Sequence, residues 1–304
     1  MNNDNFEPNP TPTPAGELLR ITHPWVLLLS LLTYALGAGI ANYLGTPIYW
    51  PTYITGQAAV ILLLLSSYFL REYFDRPPIL ELPRLPEDPP RLLRGHLFVI
   101  FATTLTIGAV LTVLLLGRGA LNPSAFLILS IAFVLAMAYA MPPFRLAHSG
   151  YGELVTAIFI ANLTPSLAFL LQYSEFHRLL AFATFPLTFL ILASALALRM
   201  ETYARDLREE KKNMLTRLGW QRGVAIHNIL ILVGFLVLGT AALAGLPWNL
   251  TWPGLLGLPI GLFQIIQMQS IANGGKPRWG LLAITAAATL ALTTYFLNLA
   301  LWTV

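Results

Sequence analysis

The sequence predicts an all-α polytopic membrane protein, a bundle of nine transmembrane helices around a central cavity. Three observations carry this. Of the 304 residues, 56% are hydrophobic and only 11% charged, where an ordinary soluble domain carries roughly 25% charged residues. The apolar residues come in runs of about twenty, the length that crosses roughly 30 Å of hydrocarbon at 1.5 Å per residue. The scarce charges lie between the runs, most of them on alternate loops.

Residues 1–22 contain Asn2, Asn3 and four prolines but few apolar side chains, and they read as a disordered tail. They lack the basic stretch and apolar core of a signal peptide. Residues 23–304 form the nine-helix domain. Turn signals and charges as borders place the spans at 24–43, 52–72, 95–116, 122–141, 152–173, 179–204, 222–245, 253–272 and 279–303. Pro165, Pro186 and Pro259 fall inside spans and predict kinks, with neighbouring helices satisfying the freed carbonyls. Trp25, Trp50, Trp248, Trp252 and Trp279 lie near span ends, as an interfacial aromatic belt places them.

Nine spans put the termini on opposite sides and sort the loops into two sets. Of the 18 Lys and Arg residues, all but Arg118 and Arg178 fall on the side of the N-terminus. The positive-inside rule makes that side cytoplasmic, in a multi-pass protein of the cell membrane. The basic residues form no aromatic-interleaved module, so the net charge of +4 is topological and no nucleic-acid partner is expected. With no cysteine, thiol nucleophiles, disulfides and iron–sulfur clusters are excluded.

Three stretches carry candidate chemistry. Span two ends in Ser66-Ser67-Tyr68-Phe69-Leu70-Arg71-Glu72-Tyr73-Phe74-Asp75, where Glu72 and Asp75 share a helical face and Arg71 can pair with them or grip a phosphate. Span six ends in a run containing Glu201, Asp206, Glu209 and Glu210. A bend after Glu201 is needed to aim these acids at one point, where clustered carboxylates suit Mg²⁺. Loop 139–154, Tyr139-Ala140-Met141-Pro142-Pro143-Phe144-Arg145-Leu146-Ala147-His148-Ser149-Gly150-Tyr151-Gly152-Glu153-Leu154, joins spans four and five. For each stretch a plainer reading stands beside the functional one: interfacial ion pairs, a solvated charged helix and a well-built turn. Asn162, His227, Asn228, Gln264 and Gln267 inside spans either line a pocket or bond between helices.

Nine spans, two acidic helix ends and the Pro-Pro-x-Arg-Leu loop leading to Gly-x-Gly-Glu-Leu resemble the UbiA superfamily of intramembrane prenyltransferases. The family's second acidic motif, set on Thr216 and Leu218-Gly219, falls on Glu201, near Asp206 and on Glu209. Its first motif, of the form Asn-Asp-Tyr-Phe-Asp, meets Ser66-Ser67-Tyr68-Phe69-Leu70 and lacks the Asn and two acids there.

The resemblance implies transfer of an isoprenyl group from a prenyl diphosphate to a hydrophobic acceptor, an aromatic quinone precursor or a lipid, with Mg²⁺ as cofactor. It implies metal binding by Glu72, Asp75, Glu201, Asp206 and Glu209, of which Asp75, Glu201 and Asp206 carry the catalytic role. Substrate is expected at Arg71, Arg145, Tyr139 and Ser66. The departures in the first motif keep a second reading open, a catalytically degenerate member that binds isoprenoid lipid or a membrane partner. A small transporter is a third reading, with less in its favour because intramembrane acids do not recur at span centres.

Overall fold

The computed structural model describes residues 14–76 and 92–303, and among these there is no strand. Nine of the helical segments are long and apolar enough to cross a membrane. In chain order the helices are α1 (Pro14–Thr22), α2 (Pro24–Tyr43), α3 (Trp50–Asp75), α4 (Arg94–Gly117), α5 (Pro123–Ala140), α6 (Gly152–Leu170), α7 (Arg178–Met200), α8 (Tyr203–Arg208), α9 (Met214–Leu218), α10 (Trp220–Ala241), α11 (Trp248–Ala272) and α12 (Trp279–Trp302).

The spans agree with the sequence expectation to within a turn or so, and the differences have local causes. Pro24, Pro51 and Pro123 sit in first turns, where a missing N–H costs nothing. Asn122 caps α5 by accepting from the Ala125 N–H at 2.8 Å. Helix α7 stops at Met200, short of the expected 204, and α8 begins after the break at Glu201 and Thr202. Helix α11 starts five residues early and carries a 3₁₀ turn at Leu255–Gly257, so Pro259 lies in the first turn of the restarted helix. In α6 a π-helical stretch, Phe159–Leu163, precedes Pro165.

The expected tail needs correction. Residues 1–13 lie outside the described residues, but residues 14–22 form α1. Glu17, only 6% exposed, accepts from Arg76 at 2.5 Å and from the Leu92 N–H at 2.8 Å. Ile21 is buried beside it. Burial pushes the Glu17 carboxyl up, and the Leu92 N–H and Arg76 outweigh that, leaving it below the usual carboxylate range. Local composition favours a coil here; partners that arrive from the end of α3 and the start of α4 order it.

Helix packing is closest where side chains are smallest. A Cβ on Gly37 of α2 would lie 2.0 Å from the Pro165 carbonyl of α6, so only glycine permits that approach. The core runs through α2, α3, α6 and α7, whereas α4 buries just Leu97 and Leu115. The well-covered helices carry the candidate residues at one end of the bundle.

Candidate active site

Helix α3 runs three residues past the expected end at Glu72, so Asp75 stands on helix with Arg71 and Glu72. Ser66 and Ser67 are buried, and their hydroxyls donate back to the Leu62 and Leu64 carbonyls at 2.7 and 2.8 Å. Ser66 therefore does not reach the charged end where substrate is expected. Glu72 accepts from Arg76 at 3.1 Å, and Arg76 also holds Glu17. Arg71 donates to the Tyr139 hydroxyl at 3.3 Å and to His23 Nε2 at 3.2 Å.

Asp75 collects the loop between α5 and α6. Arg145 donates to Asp75 Oδ1 at 2.5 Å, and His148 Nε2 lies 3.2 Å from Oδ2. Arg145 adopts a left-handed backbone, φ 38°, uncommon for a side chain of its size. The same loop continues toward the second acidic stretch. Ser149 accepts from Arg217 through its carbonyl at 3.1 Å, and Glu153 accepts from Arg199 and from the Met214 N–H, both at 3.2 Å. Loop 141–153 is thus in contact with both acidic helix ends.

In the second stretch the expected bend falls at Glu201, but it does not bring the acids together. Asp206 is 2% exposed and accepts from Thr202 Oγ1 and Asn213 Nδ2, each at 2.9 Å and both at Oδ2. Asn213 is itself fixed by a capping box with Thr216 at the start of α9. Glu209 turns to solvent and pairs with Lys211 at 2.5 Å; Glu201 is exposed at the bend. Among the described residues no three Asp, Glu or His side chains converge on one point. The five expected ligands therefore stand apart: Glu72, Asp75 and Asp206 lie at the polar end of the bundle, Glu201 is exposed at the bend and Glu209 pairs with Lys211.

Two histidines were missed in the sequence. His23 precedes α2 in a left-handed conformation, φ 46°, with its ring edge-on to Tyr68 at 5.1 Å. Burial, then the charges of Arg71, Arg199 and Arg20, push it down to about 4, so it is neutral at physiological pH. The signal for His148 was its place three residues after Arg145. Beside this end lies a hollow of about 20 Å³ lined by Tyr68, Tyr139, Phe159 and Ser67 among others, room for about one water.

No family model and no curated protein matches the sequence. Solved structures do match the fold. A UbiA homolog from Archaeoglobus fulgidus bound to DMAPP and Mg²⁺ superposes with a TM-score of 0.67 at 18% identity, covering 95% of this chain and 99% of that one. The same homolog bound to GPP and Mg²⁺ gives 0.65 at 17% identity, covering 95% and 100%. A structure described for digeranylgeranylglyceryl phosphate synthase gives 0.61 at 14% identity, covering 94% and 95%. The chain has the UbiA fold.

Within that fold Ser66, Ser67 and Leu70 are buried interior residues of α3, and Arg71, Glu72 and Asp75 stand on its last turns.

The donor chemistry suits a hard divalent ion. Asp206 is a buried carboxylate with no basic partner among the described residues, and buried charges are as a rule paired or bound to metal. Mg²⁺ needs only one or two carboxylates when water and substrate phosphate oxygens complete its shell.

Proposed function

We propose that this protein is an integral membrane prenyltransferase that binds a prenyl diphosphate among Arg71, Arg145 and His148 and transfers the prenyl group to a hydrophobic acceptor. The observation that carries the reading is the cluster at the end of α3. There Asp75 holds Arg145 and His148, and Arg71 reaches Tyr139 at the rim of the aromatic hollow. The UbiA fold supports it, since a UbiA homolog of that fold is bound to DMAPP or to GPP with Mg²⁺. The positive-inside count puts this end in the cytoplasm.

The chemistry follows from charge. Diphosphate leaves slowly until cations neutralise its oxygens, and Arg71 and Arg145 are fixed donors for that purpose. Mg²⁺ held at Asp206 or at Glu72 would supply further neutralisation as a Lewis acid. Breaking the C–O bond leaves an allylic cation, and the faces of Tyr68, Tyr139 and Phe159 are suited to stabilise it. The acceptor then forms the new bond and loses a proton. We assign the acceptor to the aromatic quinone-precursor class or to a lipid.

A second reading, an isoprenoid-binding protein without turnover, draws on two facts. Both Asp75 oxygens are engaged, one by Arg145 and one by His148, and the hollow admits about one water. One assay separates the two. Purified protein in lipid vesicles is given Mg²⁺, DMAPP, GPP and longer prenyl diphosphates, each with phenolic, naphthoquinol and glycerol-phosphate acceptors. Pyrophosphate release with a prenylated product, abolished by chelator, is expected. Binding without product across the set, while a UbiA homolog turns over under the same conditions, contradicts it.

A further inference from the structure

We propose a lipid site on the opposite half of the bundle: a furrow between α3, α4 and α5 that holds one hydrocarbon chain of an anionic phospholipid, with its phosphate at Arg118. Helices α4 and α5 both pack on α3. A Cβ on Gly108 of α4 would meet Leu62 at 3.7 Å, and the buried residues of α5 are all alanines. Between them stays a cavity of about 410 Å³, walled by Phe126 and Phe133 of α5, within the size range of ligand pockets.

Four hydroxyls line this cavity, and none is available to a polar ligand as a donor. Ser66 donates to the Leu62 carbonyl at 2.7 Å, Thr104 to Ile100 at 2.9 Å, Thr112 to Gly108 at 3.0 Å and Ser130 to Phe126 at 2.8 Å. Each is spent on its own helix, so the furrow presents a surface fit for hydrocarbon.

The headgroup end is set by Arg118. It is one of two basic residues on the far side of the bundle, and among the described residues no carboxylate pairs with it. Its Nη1 donates to the Pro51 carbonyl at 3.2 Å and to Thr55 Oγ1 at 3.0 Å, pinning the end of α4 to the start of α3. Val113, the last furrow residue on α4, is five residues away, about 7.5 Å along the helix. A cation at that distance is placed for a phosphate whose chain enters the furrow.

Native mass spectrometry of the full-length protein, released from detergent after incubation with phosphatidylglycerol, tests this. Wild type is expected to retain one lipid per chain. Arg118→Gln weakens retention about fivefold, the effect of one interfacial cation, and neutral diacylglycerol binds wild type as weakly as phosphatidylglycerol binds Arg118→Gln. Ala109→Phe, and independently Ser130→Phe, fills the furrow and removes the bound lipid while thermal unfolding stays cooperative. Equal retention by wild type, Arg118→Gln and both filled variants overturns the proposal. So does displacement of phosphatidylglycerol by a much tighter-binding polyprenyl phosphate, which would make the occupant an isoprenoid.

Discussion

Arg145 and Asp75, seventy positions apart in sequence, meet at 2.5 Å, and their contact ties loop 141–153 to the end of α3. Because Arg145 is 38% and Asp75 25% exposed at the side chain, solvent screens the pair and its contribution to stability is modest, about 1 kcal/mol or less. Its functional consequence is larger. Arg145→Gln is expected to raise KM for prenyl diphosphate at least tenfold and to lower the unfolding midpoint by only a few degrees. Steady-state kinetics beside differential scanning fluorimetry will show whether the two effects separate in this way.

Asp206 offers the opposite balance. Asp206→Asn keeps a carbonyl oxygen for Thr202 and Asn213 but removes a buried charge that has no basic partner, so stability is expected to hold or rise. Turnover is expected to fall about a hundredfold, with the response to Mg²⁺ flattened. Asp206→Ala also loses both hydrogen bonds and is expected to cost about 1–3 kcal/mol. A variant Asp206→Asn with full Mg²⁺-dependent activity would remove this residue from the site.

Much of the fold was legible because nine apolar runs match a bilayer's thickness and the charges between them alternate. The ends of elements were less so. Helix α3 reaches Asp75, and α1 exists at all, because Arg76, Glu17 and Leu92 satisfy one another across gaps that no local window spans. The Asp75, Arg145 and His148 cluster was invisible for a different reason: sequence names the partners but not who meets whom.

Protonation of His23 links stability to pH. Its folded value of about 4 lies below the ordinary 6.5, so between these values the unfolded chain binds the extra proton. Stability therefore rises with pH across that window and is lost as pH falls from about 6.5 toward 4. His23→Gln is expected to flatten this part of the curve relative to wild type. Parallel slopes for the two proteins, measured by thermal unfolding in detergent from pH 7 to 4.5, would argue against a neutral His23.

Helix α1 should detach when its one buried carboxylate is removed. Glu17→Ala removes one of the two carboxylates that Arg76 holds and leaves the Leu92 N–H without its partner, a loss of about 1–3 kcal/mol. Limited proteolysis is expected to cut near residues 14–22 many times faster in this variant, with the spans intact. Unchanged cleavage would mean that Ile21 alone holds α1 in place.

The central claim is that the Arg71, Arg145 and His148 cluster receives a diphosphate. Calorimetric titration of GPP into the full-length protein in nanodiscs, with Mg²⁺ present, tests it most directly. Saturable binding to wild type that weakens at least tenfold in Arg71→Gln, with geraniol failing to bind either protein comparably, is the predicted result. Equal GPP affinity in wild type and Arg71→Gln, or affinity for geraniol matching that for GPP, would contradict the account.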